Sequence, residues 1–152
     1  MGSISFQIFV SDNPATLKRG KSDDVLGPLW ISIGAQLFPR AGWVDYPIAA
    51  LANWTHRCLQ LKSVGDSAQL IFFEGPVRIR IEQVEDQMVK ITPMGPGGDG
   101  ASCLCSKSHL WSELTRAGQL VLSACSTLGW PSTDWNQLWA NLDSYRHPWP
   151  LN

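Results

Sequence analysis

The chain has 152 residues, a formal charge of −1 and a charged fraction of 16%. That length suits one domain with a core of its own, and so weak a net charge cannot hold a polyanion, which argues against general nucleic-acid binding. The apolar runs are too short to cross a bilayer, MGSISF lacks the Ser or Thr that myristoylation needs because Phe6 stands there, and no basic-then-apolar leader pattern is visible. A cytoplasmic protein away from membranes is the expectation.

In chain order, Ile4, Phe6, Ile8 and Val10 alternate with Ser3, Ser5 and Gln7, the period-two pattern of a strand with one wet face. A loop spans about 11–27. In it Lys18, Arg19 and Lys21 are followed at once by Asp23 and Asp24, as in a solvated hairpin tip. Leu29, Ile31, Ile33, Ala35 and Leu37 alternate with Trp30, Ser32, Gly34 and Gln36, which predicts one strand over 29–37 paired with the first. The stretch FPRAGWVDYP (38–47) then supplies Pro39 to end the pairing, Gly42 to turn, Asp45 to cap a helix and Pro47 for its first turn. Phe38 belongs at the sheet end. Arg40, Trp43 and Tyr46 are the residues that a turn does not require. We read the stretch as a junction in which Trp43 closes the helix–sheet core, with a contact to a partner as the alternative.

Ile48, Leu51, Ala52, Thr55, Cys58, Leu59 and Lys62 recur at helical spacing and predict a helix over 47–62, with Trp54 and Leu61 off its apolar stripe. QLIFFEGPVRIRIEQVEDQMVKIT reads as three short strands, turning at Gly75-Pro76 and Glu85-Asp86. Continuously apolar Ile71, Phe72 and Phe73 suggest a central strand, and Glu74 follows at the sheet end. Val77, Ile79 and Ile81 form a dry face opposite Arg78, Arg80 and Glu82, which would lie open beside Trp30. After a flexible loop over about 94–104 comes a helix from near Ser106, its stripe running from Leu110 and Trp111 to Leu128 and its stop at Gly129. A last helix, capped by Ser132 or Thr133, carries Trp135, Leu138, Trp139 and Leu142. The order β-β-α-β-β-β-α-α predicts a single α+β domain over 1–152, a mostly antiparallel sheet of about five strands with helices packed on one face.

Chemical motifs are sparse. LKRGKS ends like a phosphate-binding loop, but Ala15 replaces the required first glycine, and GPGGDG lacks the following lysine. VGDSAQ has Gln69 where a nucleophile elbow needs glycine. Cys103, Cys105 and His109 form C-x-C-x3-H, a candidate metal set without a visible fourth ligand and with a tighter first spacing than zinc usually takes. Cys58 and Cys125 fall on apolar helix faces and are expected in the core. No motif calls for a cofactor. The sequon Asn53-Trp54-Thr55 lies inside a predicted helix and is read as chance. Eight tryptophans are more than a small core readily absorbs, which suits an interface.

The run LWISIGAQLFP, then GWVDYP opening an amphipathic helix, then LIFFEGPVRIRI resembles a set of small bacterial proteins with the pattern FP-x-x-GW-x-D-[FY]-P and a following F-x-[DE]-GP strand pair. These look like immunity proteins of polymorphic toxin systems. The resemblance covers roughly residues 29–81 and implies a non-enzymatic protein that binds and neutralises a cognate secreted toxin by stoichiometric occlusion. From the residues themselves, Arg40, Trp43, Tyr46, Trp30 and Glu74 are the candidate partner-binding set. A small metal-binding protein or enzyme using Cys103, Cys105 and His109, or a domain that self-associates through the open sheet face, are the alternative readings.

Overall fold

The computed structural model describes residues 6–20, 24–96, 102–130 and 133–144. Ile4, Lys21, Asp23 and the tail with His147 lie outside them, as do 97–101 of the expected loop. The described elements are β1 (Phe6–Val10), β2 (Lys18–Arg19), β3 (Val25–Ile33), β4 (Gln36–Phe38), β5 (Val44–Asp45), α1 (Pro47–Cys58), β6 (Ser67–Ile71), β7 (Arg78–Glu85), β8 (Met88–Met94), β9 (Cys103–Ser106), α2 (Lys107–Leu128) and α3 (Thr133–Ser144). The fold is α+β and its pairing is antiparallel.

There are two sheets rather than one of about five strands: a five-stranded sheet around β3 and a four-stranded meander β6-β7-β8-β9. The predicted strand over 29–37 is two strands. Gly34, at φ 61°, turns the chain so that Ile33 pairs Gln36 and Ile31 pairs Phe38. Alternation survives in the sequence through this tight turn, but beyond it the faces change: Leu37 sits opposite Ser32 on the outer face, 41% exposed. The loop expected over 11–27 is shorter, because β3 starts at Val25 and β2 pairs with it. Met94 likewise belongs to β8, and Cys103 and Leu104 belong to β9.

Both inner faces are covered by helices. α1 lies against β3 and β6, and α2 against β1 and β9, so one connected apolar cluster takes Ile8, Leu29 and Ile31 from the first sheet and Leu70, Ile79 and Ile91 from the second. Helix α1 ends at Cys58 rather than Lys62. Trp54 and Leu61, expected off its stripe, are fully buried: Trp54 donates its indole N–H to the Ile71 carbonyl at 2.7 Å and meets Phe72 edge-on. β6 is an edge strand of its sheet, not a central one, so only Phe72 of Ile71, Phe72 and Phe73 is buried. Cys58 and Cys125 lie in the core as expected. α2 is capped by Ser106, whose hydroxyl accepts from the His109 N–H, and ends at left-handed Gly129. Asn141 docks α3 on α1 by donating to the Ala52 carbonyl and the Thr55 hydroxyl. Gly118 of α2 lets Leu142 of α3 approach to 2.8 Å of where a Cβ would stand. Among the described residues no helix is long and apolar enough to cross a membrane.

The outer edge of β1 is closed by side chains. His109, Glu113 and Arg116 recur one helical turn apart on α2. The His109 ring donates to the Phe6 carbonyl at 2.7 Å, Glu113 accepts the Ile8 N–H at 2.9 Å, and Arg116 donates to the Ile8 carbonyl while pairing with Glu113 at 2.8 Å. Backbone groups that would otherwise template another strand are thus occupied. Burial pushes the Glu113 carboxyl up, but the Arg116 guanidinium and the Ile8 N–H outweigh it and hold the group below its ordinary value. A depressed folded value contributes stability above the unfolded value, and that contribution fades as pH falls through the folded one. Glu113→Ala should therefore lose about 2–3 kcal/mol of unfolding free energy at pH 7, and its deficit against the parent should shrink below pH 4.5, as read by urea titration across pH.

Candidate functional site

Four of the five residues expected to bind a partner come together at one corner, and Asp45 organises it. Asp45 does not cap α1: the N-cap position belongs to Tyr46 and has no side-chain cap bond. Instead Asp45 is fully buried and its two oxygens accept four hydrogen bonds. Oδ1 takes the Tyr46 and Phe73 N–H groups at 2.7 and 3.0 Å, and Oδ2 takes the Glu74 N–H and the Trp43 indole N–H at 3.1 and 3.0 Å. The carboxylate thereby ties β5 of the first sheet to the bend after β6 of the second. A buried carboxylate is tolerable where donors saturate it in this way.

Around this clamp the aromatic rings pack edge to face. Phe72 meets Phe38, Trp43 and Trp54 with centroids 6.0, 6.4 and 5.2 Å apart. Trp43 is half-buried and packs on the core, which fits its reading as a junction residue. The Arg40 guanidinium lies 5.6 Å from the Trp43 ring centroid. Tyr46 meets Phe73 edge-on at 6.4 Å, and the Glu74 carboxylate lies close to its phenol. Burial, with the carboxylates of Glu74, Asp24 and Asp45 nearby, pushes that phenol above its ordinary value. Arg40, Phe73 and Glu74 are exposed, so a packed base carries a ring of accessible aromatic and charged groups.

Trp30 is not part of this corner. It stacks on Phe9 across the β1–β3 pair, centroids 5.4 Å apart, on the outer face of the first sheet. Arg78, Arg80 and Glu82, expected beside it, belong to the second sheet. The metal candidates are also separated by role: Cys103 and Cys105 alternate on β9 and point into the core, whereas the His109 ring is bonded to Phe6. Burial pushes the Cys105 thiol up to about 12 and Cys103 up as well, so thiolates are disfavoured. Among the described residues no three His, Cys, Asp or Glu side chains are grouped for a metal.

Comparison of the chain with family models, with curated proteins and with solved structures found no match.

Beside the corner, α1 and α3 flank an open cleft of about 790 Å³ lined by Asp24, Tyr46, Asn53, His56, Phe73 and Asp134. Sequence reasoning missed it, because Asn53 and His56 lie off the predicted apolar stripe of α1, and α3 had no predicted neighbour. The one available signal was Ala49 beside Ala52, small residues one turn apart. Asp45→Ala should cost at least about 3 kcal/mol, since four buried donors lose their acceptor together. Gly75→Ala should destabilise by at least about 1 kcal/mol: Gly75 has φ 82° and a Cβ there would stand 3.2 Å from the Trp43 ring. Thermal melts check both.

Proposed function

We propose that this protein is a binding module that neutralises a secreted bacterial toxin by stoichiometric occlusion. The observation that carries the reading is the corner itself: Arg40, Tyr46, Phe73 and Glu74 stand accessible on a base fixed by Asp45 and Phe72. Rigid aromatic and arginine groups lose little entropy on binding, which is why they dominate interface energetics. The sequence resemblance over residues 29–81 adds the class of partner. In this reading Trp43 acts through the base and the exposed groups make the contact.

A second reading, self-association, draws on the outer face of the first sheet. There the Phe9–Trp30 stack shares its face with Leu37, opposite Ser32, and Val44, opposite Pro28, which are 41% and 52% exposed, apolar groups where a solvated antiparallel sheet is usually polar. Sedimentation equilibrium separates the two: a strict monomer at high concentration removes self-association.

The toxin reading is tested by co-expression with the toxin encoded beside the gene. A stable one-to-one complex and protected cells are expected, and failure of both sinks it. Arg40→Ala and Glu74→Lys should leave the melting temperature within about 2 °C of the parent, because both side chains are exposed, yet weaken the complex by about tenfold or more. A loss of affinity that follows stability alone would place the interface elsewhere.

A further inference from the structure

The cleft between α1 and α3 has a consistent chemistry. Ala49 and Ala52 leave space on the α1 side, while Tyr46 and Phe73 stand edge-to-face among the lining residues. Two carboxylates, Asp24 and Asp134, line it with His56, and among the described residues no lysine or arginine does. Neither side chain has an ion pair or hydrogen bond among the described residues. Asn53 lines this cleft and also a second one beside Arg57, and its Oδ1 is shut off from both with no hydrogen-bond partner. The N-terminal dipoles of α1 and α3 favour anions, but Asp45 and Asp134 stand at those two ends and offset them. The volume falls in the range of sites that enclose a side chain or small ligand.

We propose that this cleft is a cation-binding site that receives an arginine side chain of the protein partner. Its planar guanidinium would pair with Asp24 and Asp134 and lie against the Phe73 or Tyr46 ring. The Glu74 carboxylate beside Tyr46 extends the same negative field to the accessible corner, so cleft and corner form one surface. Only the source of the guanidinium rests on the toxin-binding reading; the cation preference of the cleft stands on its own lining.

Two arms test it. In the first, N-acetyl-L-arginine amide and its neutral norleucine counterpart are titrated into the 15N-labelled protein. The arginine compound should shift the amides around Tyr46, Asn53 and Asp134 in fast exchange, the norleucine compound should not, and Asp24→Asn with Asp134→Asn should weaken binding about tenfold or more. Absent shifts, shifts elsewhere, or equal responses to both compounds overturn the site whether or not the variant folds. In the second arm, the same double variant, checked for an unchanged melt, is titrated with the neighbouring toxin. A Kd raised about tenfold or more supports the assignment. An unchanged Kd, in a variant that no longer binds the arginine compound, overturns the partner as the source. If no toxin complex forms at all, the functional reading fails and with it the partner as source, while the first arm still decides the cleft.

Discussion

The architecture depends on one buried carboxylate. Two antiparallel sheets that do not share a strand have no backbone ladder to fix their relation, and apolar packing alone is non-directional. Asp45 supplies the missing direction. Its four acceptor bonds join β5, the first residues of α1 and the bend after β6, so the angle between the sheets and the entry of the helix are set by the same two oxygen atoms. Phe72 then fills the corner against Phe38, Trp43 and Trp54. Such a charge is costly to strip of its donors but well satisfied in place, which makes the corner stiff compared with a hinge.

That stiffness explains how the same corner can hold exposed groups in register. Tyr46 and Glu74 leave the clamp in opposite chain directions, from α1 and from the 73–74 bend, and meet again on the outside. Arg40 is held over Trp43, whose indole is bonded to Asp45. The accessible surface is therefore one step removed from the core, and side chains so placed are pre-ordered before any partner arrives.

Much of this was legible in the residues, and the failures have particular causes. The stripe of α2 and the alternation of β7 were readable because each extends over enough residues for its period to show. The hairpin at Gly34 was not, since alternation continues through a tight turn while the chain reverses, and β2 and β5 are two residues each, too short to carry a pattern. Trp54 looked misplaced on a helical wheel drawn for one sheet. It is buried because α1 touches two sheets and so has a wider dry face than a single stripe. Asp45 had the right sequence context for a helix cap, but its oxygens bond the 73–74 bend as well as Tyr46, and the two backbone donors there are twenty-eight and twenty-nine residues away, a distance that no local rule sees. Arg40, Trp43 and Tyr46 stand out in the sequence because aromatic and charged residues exceed what a turn needs, and Glu74 because it ends an apolar strand; the structure brings the four to one corner. The α1–α3 cleft was not, because it arises only when a helix of modest amphipathicity docks through Asn141.

The row of side chains on α2 that closes β1 has a consequence for synthesis. Glu113 is 105 residues away from Ile8, and His109 and Arg116 lie at similar separations from their backbone partners. The first strand thus emerges from the ribosome more than a hundred residues ahead of the groups that seal it. Its inner neighbour β3 arrives early, but the outer edge stays open through the making of the entire second sheet. During that interval the first sheet has an unguarded margin, and the chain becomes safe from edge-to-edge association only when α2 has folded down.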